Sequence, residues 1–484
     1  MSDILNSPET AQRASEGKLQ RTLGVPSIVL MVIAGAAPLT VVAGIVPLIL
    51  LLGNGIGAPS DYIIAGAILV LFSVGFTTMS LQVKNAGAFY AYIQKGLGRV
   101  PGLAAASLAV VTYVILLVSV YAYLGQSASN VVLTFTGANV PWWVFTAVGL
   151  LIVAFLGHRN VELSAKVLGV LLVLEIVVVA VVDVAIVFVG GDHGLDVASF
   201  LPENVFSGNF GTGVMFAIFG FIGFEATAAF RSEARDPDRT IPKATYIAVT
   251  IIAAFYAFSA WAAVVGLGSD KAVAAATEDP VTLIPNLAER YVGVVVHDIM
   301  QVLLMTSFLA CVLTFHNVVG RYLFTLGRVG VLPHALATVH PKHSSPWVAS
   351  AVTVGVSALL FIVFAIPGLD PVTQIYTWLS GAATLGVITL MALTSLAVIV
   401  FFQRHKGLAS LWRTLIAPVL AFAGLLVALG LVITNFGFLI GVDWLAVVFG
   451  IVLSLALIGG AIGALVMRAR RPKVYDALLQ DSDD

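Results

Sequence analysis

Charge is what this sequence has least of. Of 484 residues only 10% are Asp, Glu, Lys or Arg, and the net charge is −1. So even a balance leaves no basic face for a nucleic acid. There is one cysteine, Cys311, inside an apolar run. It excludes an internal disulfide and a cysteine-rich metal cluster. No GxxxxGK[ST] loop is present to bind nucleotide phosphates, and no Ser/His/Asp order suggests intramembrane proteolysis. No polar stretch is long enough for a soluble catalytic module. Residues 1–23 are polar and mixed in charge, without the pattern of a cleavable signal peptide. An enzyme is therefore not expected, and no cofactor is implied.

What fills the sequence is apolar: 60% of residues are hydrophobic. Runs of about 20 apolar residues suffice to cross a bilayer as helices. Such runs occur near 25–52, 61–82, 101–133, 141–157, 166–190, 211–231, 243–267, 291–319, 347–366, 373–402, 413–435 and 441–467, twelve in all. With the N-terminus inside and strict alternation, 22 of the 24 Lys and Arg fall on the inner side. Only Lys271 and Arg290 fall outside. This is the asymmetry expected of a membrane protein with both termini in the cytoplasm.

Two spans are interrupted. The first carries Ala34-Gly35-Ala36-Ala37-Pro38, and the sixth carries Gly220 and Gly223 followed by Glu225. Glycine weakens a helix locally, and a carboxylate within a span needs a cavity or a partner. The two spans lie five apart, so they cross in opposite directions. Matched interruptions of this kind point to an inverted repeat with a site at mid-membrane. Unwound main chain offers N–H groups to an anion and carbonyls to a cation or amine. After the sixth span a charged segment runs from Arg231 to Lys243, and Thr240-Ile241-Pro242 can start the next helix.

The stretch FGFIGFEATAAFRSEARDPDRTIPKA resembles the signature of the amino acid–polyamine–organocation (APC) permeases. Gly87 to Ile93, GAFYAYI, resembles that family's Gly-Gly-x-Tyr-x-Tyr segment, with Ala86 where the first glycine would stand. The run FHNVVGRYLFTLGRVGVLP, 315–333, is similar to the stretch after the eighth span in many such permeases. The resemblance covers about 24–468. It implies an all-α integral membrane protein of twelve transmembrane helices with a five-plus-five inverted repeat of the LeuT type. Helices 1 and 6 would be discontinuous, and two further helices would follow. The repeats would be about 24–190 and 211–402, and the extra helices about 413–467. Residues 1–23 and 469–484 would be cytoplasmic tails.

By the same resemblance, an amino acid's carboxylate and amine would be held by the broken parts of spans 1 and 6. Gly35, Ala36 and Ala37, with Thr40 beyond them, stand near the family's carboxylate-binding loop, which usually reads Gly-x-Gly. Phe219 matches the aromatic that caps the substrate, and Gly220, Phe221 and Gly223 match the unwound segment. Aligning Ser164-Ala165-Lys166 with the family's Ser-Ala-Arg puts Glu175 where many members carry a lysine. A carboxylate there could bind a proton, hold a cation or receive a basic substrate's amine, or could be structural.

Other polar groups in the spans keep two readings each. Glu225 is a proton-titrating residue or a hydrogen-bond hub. Tyr113 and Gln126 line the cavity or anchor at the interface. Asp183, near the outer third of span 5, is expected to reach the interface. His316 and Asn317 are expected to join a gate or hydrogen-bond network rather than bind a metal. Glu233, Arg235, Asp236 and Arg239 form a salt-bridged inner latch or a solvated charge run.

The expected function is secondary active import of amino acids across the cytoplasmic (inner) membrane, coupled to protons, by alternating access. A polyamine or cationic amino acid carrier or exchanger is the alternative, and a non-transporting nutrient sensor is a third reading. The expected partners are a small amino acid or polyamine, a coupling proton or cation, and the bilayer. Nothing in the sequence indicates an oligomer.

Overall fold

A chain this apolar must satisfy its backbone polar groups within each segment, so it folds as helices. The computed structural model describes residues 23–83, 88–159, 165–225, 227, 234–341 and 345–480. Among them there is no strand, only an isolated parallel bridge between Leu23 and Ala234. The elements begin with α1 (Val25–Gly35), α2 (Pro38–Gly44), α3 (Val46–Leu52), α4 (Ala58–Ser80), α5 (Ala88–Leu97) and α6 (Arg99–Thr136). They continue with α7 (Trp142–Arg159), α8 (Ala165–Val189), α9 (Phe210–Phe219), α10 (Pro237–Leu267), α11 (Ala272–Glu278) and α12 (Leu283–Tyr291). The last are α13 (Val294–Arg328), α14 (Trp347–Ala365), α15 (Thr377–Arg404), α16 (Ala417–Ile440), α17 (Asp443–Arg470) and α18 (Pro472–Gln480).

Among the described residues, ten helical segments are long and apolar enough to cross a membrane, and α7 and α9 are shorter apolar helices. The protein is a multi-pass membrane protein. Its first apolar run is divided into α1, α2 and α3, and its sixth stops at Phe219. The spans containing α1, α4, α6 and α15 are largely buried, whereas only a minority of α14, α16 and α17 is buried. Exposed Leu151, Phe188, Ile366 and Leu455 give the outside an apolar coat suited to lipid. The two most extensive helix contacts join α10 to α4 and α13 to α6. The four helices frame the space around the interruptions.

Three local features add to the expectations. The helix after the charged segment starts at Pro237, not at Thr240, because Pro237 suits a first helical turn that needs no N–H; Pro242 lies inside it. Among the described residues the expected latch shows Arg239 and Asp236, 3.9 Å apart and both exposed, one turn apart on the chain. Its main-chain counterpart is Arg235 N–H donating to the Leu23 carbonyl at 3.0 Å, while Glu233 lies outside the described residues. Within the expected C-terminal tail, residues 472–480 form α18. Arg99 bonds Asp476 at 2.9 Å and stands over the Tyr475 ring, which docks α18 against the start of α6. Ala86, Gly87, Ser164 and the residues before Leu23 also lie outside the described residues.

Candidate functional site

The first interruption is short. Ala36 N–H bonds back to the Val32 and Ile33 carbonyls, closing α1. Ala37 then takes the left-handed conformation, with φ 44° and ψ 72°. It is the sole non-glycine with positive φ among the described residues. Pro38 opens α2, where its fixed φ suits a first helical position. The Ala36 carbonyl, released from the helix, accepts the Tyr256 hydroxyl of α10 at 3.0 Å.

The second interruption is a tightened turn. Phe221, Ile222 and Phe224 donate to the carbonyls three residues earlier, Ile218, Phe219 and Phe221. Gly223 has φ 115°, and its N–H donates to Glu225 Oε2 at 2.8 Å. A Cβ built on Gly223 would stand 2.9 Å from the Gly35 carbonyl oxygen. The two interruptions therefore meet main chain to main chain, and Gly223 is the residue that permits the approach.

A carboxylate sits against each interruption. Glu225 also accepts the Tyr113 hydroxyl, at 2.6 Å, and the Tyr113 ring lies against Phe315 and Tyr322. Glu175 accepts the Ser307 hydroxyl at 3.0 Å and lies beside the Leu39 main chain, in the first turn of α2. Ser307 in turn accepts the Thr40 hydroxyl at 2.9 Å. Both carboxylates are buried. Among the described residues neither has a Lys, Arg or His within ion-pairing distance, and no metal-holding group of three or more His, Cys, Asp or Glu is present.

The structure thus gathers Gly35, Ala36, Ala37, Thr40, Gly220, Gly223, Tyr113, Glu175 and Glu225 around the interruptions. Phe219 closes α9 with its ring edge-on to Tyr376, 5.9 Å between centroids, and Tyr376 meets Tyr123 and Phe308. Phe221 is fully buried with its ring against Tyr256, so only its main chain belongs to the turn. A Cβ on Gly220 would press on Val41 at 2.9 Å, which makes this glycine a packing contact between α9 and α2.

Asp183 does not reach the interface. It is 4% exposed, accepts the Ser259 hydroxyl at 2.6 Å and borders a cavity of about 10 Å³, room for one water. Gln126 pairs with Asn130 one turn along α6. His316 is buried and bonds the Ser350 hydroxyl through Nε2 at 2.8 Å, joining α13 to α14. Sequence reasoning missed Tyr256, Ser307 and Tyr376. Their signal was faint: a single hydroxyl in an otherwise apolar stretch, common in membrane helices.

On the opposite side from the charged segment, the two basic residues expected outside converge. Lys271 Nζ lies 2.7 Å from Asp192 Oδ2, and Arg290 bonds Asp192 Oδ1. Hydrogen bonds from these two cations hold the Asp192 carboxyl down at about 2. Arg290 and Tyr291 also donate to the Gly266 carbonyl, capping the end of α10.

Residues 23–453 match the family model described as "Amino acid permease". The chain is similar to the branched-chain amino acid permease BcaP of Bacillus subtilis (strain 168), 27% identical over 301 residues, 62% of this chain and 60% of the relative. It is similar to the low-affinity putrescine importer PlaP of Escherichia coli (strain K12), 23% identical over 369 residues, 72% of this chain and 76% of the relative. It is also similar to the aromatic amino acid transport protein AroP of Escherichia coli (strain K12), 26% identical over 337 residues, 67% and 70% of the two chains.

Proposed function

The chain belongs to the amino acid permease family, and on that premise we propose that it is a secondary transporter importing amino acids across the cytoplasmic membrane by alternating access. The observation that carries this reading is the meeting of two helix interruptions, each with a buried carboxylate lying against it. In this reading the cargo's α-carboxylate and amine bind main chain at Gly35–Ala37 and Gly220–Gly223. Thr40, Tyr113, Phe219 and the Phe221 main chain complete the pocket. Glu175 and Glu225 carry the coupling proton. The five-plus-five repeat, about 24–190 and 211–402, is supported by the pairing of α4 with α10 and α6 with α13, spans five apart in sequence.

The test is uptake of labelled amino acids into proteoliposomes. An inward proton gradient should drive accumulation, and Glu175→Gln or Glu225→Gln should remove the gradient's effect. Uptake indifferent to the gradient ends the coupling claim; no uptake of any amino acid or polyamine ends the cargo claim.

A second reading is favoured by one feature: two carboxylates at the interruptions without a basic partner among the described residues. That chemistry suits a polyamine or cationic amino acid. Here Glu175→Lys should abolish putrescine and lysine transport, and retained transport would reject the reading.

A further inference from the structure

A fourth buried carboxylate, after Glu175, Glu225 and Asp183, takes no part in the proposal above. Asp61 stands in the first turn of α4, fully buried, beside equally buried Asn54 in the turn after α3. Asn54 Nδ2 donates to Asp61 Oδ1 at 3.0 Å and to the Val205 carbonyl at 2.9 Å. These two acceptors fix the amide's orientation, since the flipped form would set its oxygen against both. Two oxygens then remain without a partner: Asn54 Oδ1 and Asp61 Oδ2. Both face the same point on α9. A Cβ on Gly213 would lie 2.3 Å from Asp61 Oδ2 and 3.0 Å from Asn54 Oδ1. Among the described residues no Lys, Arg or His comes within ion-pairing distance of Asp61.

Two unpartnered acceptor oxygens buried beside one point repel, and leaving both unmatched is costly. A single proton resolves both. We infer that Asp61 is a neutral carboxylic acid whose Oδ2–H donates to Asn54 Oδ1, closing a reciprocal acid–amide ring with the Asn54 Nδ2–H to Asp61 Oδ1 bond. The ligand of this site is one proton, and no other bond changes. The Gly213 main chain fills the face a metal ion would need.

The ring is an uncharged clasp. The Asn54 main-chain carbonyl also accepts the Ser207 hydroxyl at 2.9 Å, and Asn209 N–H donates to the Gly53 carbonyl at 2.9 Å. The clasp thereby fixes the end of α3, the start of α4 and the lead-in to α9, the helix that runs into the second interruption. Asp61 is a positioning residue; its next neighbour Tyr62 packs edge-on to Tyr256, whose hydroxyl holds Ala36.

The experiment uses full-length protein in detergent and in proteoliposomes. Asp61→Asn replaces the O–H by an N–H and keeps the ring, so melting temperature and uptake should match the parent. Asp61→Ala opens the ring and should lower the melting temperature by several degrees. The difference infrared spectrum, parent minus Asp61→Asn at neutral pH, should contain a protonated-carboxyl carbonyl band. A carboxylate band in its place overturns the inference. So does an Asp61→Asn protein as destabilised as Asp61→Ala, or one that keeps its melting temperature but loses uptake. A melting temperature of the parent that rises with sodium but not with choline would replace the proton by a metal ion and likewise overturn it.

Discussion

The two interruptions use the same chemistry in different ways. Each presents a buried carboxylate that accepts one hydroxyl, Tyr113 for Glu225 and Ser307 for Glu175; Glu225 also accepts the Gly223 N–H, while Glu175 lies beside the Leu39 main chain. At the second interruption the carboxylate belongs to the same turn, two residues from the N–H it accepts. At the first it comes from another helix, α8. The backbone differs likewise. The positive φ falls on Gly223 at the second and on Ala37 at the first. Glycine adopts such a conformation without strain, whereas alanine must be held in it. The second interruption is written into its own residues; the first is imposed by Pro38, Tyr256 and Glu175 around it.

The sharpest way to break that contrast is Gly223→Ala. The new methyl meets a main-chain oxygen that cannot swing aside, at a φ unsuited to an L side chain. A cost of about 2–3 kcal/mol is expected for strain of this kind, read as a lower melting temperature with loss of uptake in proteoliposomes. A Gly223→Ala protein that melts and transports like the parent would show that the turn is not encoded by its glycine.

The next effect compares the hydroxyls. Tyr113→Phe leaves Glu225 with the Gly223 N–H, and Ser307→Ala takes from Glu175 the hydroxyl it accepts. Removing one partner from a buried polar group costs about 1–3 kcal/mol, so initial uptake should fall about 5- to 150-fold in each. Tyr113→Phe should be the more damaging, since its bond is the shorter, 2.6 Å against 3.0 Å. Equal activity of Tyr113→Phe and the parent would remove Glu225 from the site.

This contrast also explains what the sequence disclosed. Gly220, Gly223 and Glu225 were legible because a glycine and a carboxylate in a span each violate the local rule for a membrane helix. The apolar runs were legible for the same kind of reason: hydropathy is a local property. Ser307, Tyr256 and Tyr376 were not, because their importance lies in what stands opposite them, and one hydroxyl in an apolar helix looks alike wherever it points. Asp183 was misplaced by depth alone; its partner Ser259 lies 76 residues away. The Asn54–Asp61 ring escaped because Asp61 falls at the start of a run, where a carboxylate reads as an ordinary first-turn residue.

A smaller effect lies at the outer cluster, whose cations are exposed where the carboxylates of the interruptions are buried. Lys271 and Arg290 hold Asp192 down at about 2, below the ordinary carboxylate range. A lowered carboxyl stabilises the folded chain at pH values above its unfolded value, about 3.9, and that contribution is lost as the pH falls through about 2. Asp192→Asn should therefore lower the melting temperature by the same small amount at pH 8 and pH 5. The gap from the parent should close on acidification toward pH 2. Both cations are half exposed, so added salt should shrink the gap. A gap that instead widens in acid would mean that Asp192 is not held by these cations.

The smallest effect is expected at Ala37, and its sign is informative. Alanine in the left-handed region is disfavoured by about 1–2 kcal/mol, and glycine there is not. Against that gain, glycine adds unfolded-chain freedom worth about 0.4–1 kcal/mol. Ala37→Gly should therefore leave the melting temperature nearly unchanged or raise it slightly, in contrast to the loss from Gly223→Ala. If Ala37→Gly is clearly destabilising, the methyl group makes a contact that outweighs its strain, and the first interruption is encoded locally after all. If stability holds while transport falls, the strain is retained for transport: the neighbouring contacts hold Ala37 in a conformation that relaxes when the cargo or the proton leaves. Either result would separate a turn that is merely tolerated from one that is set.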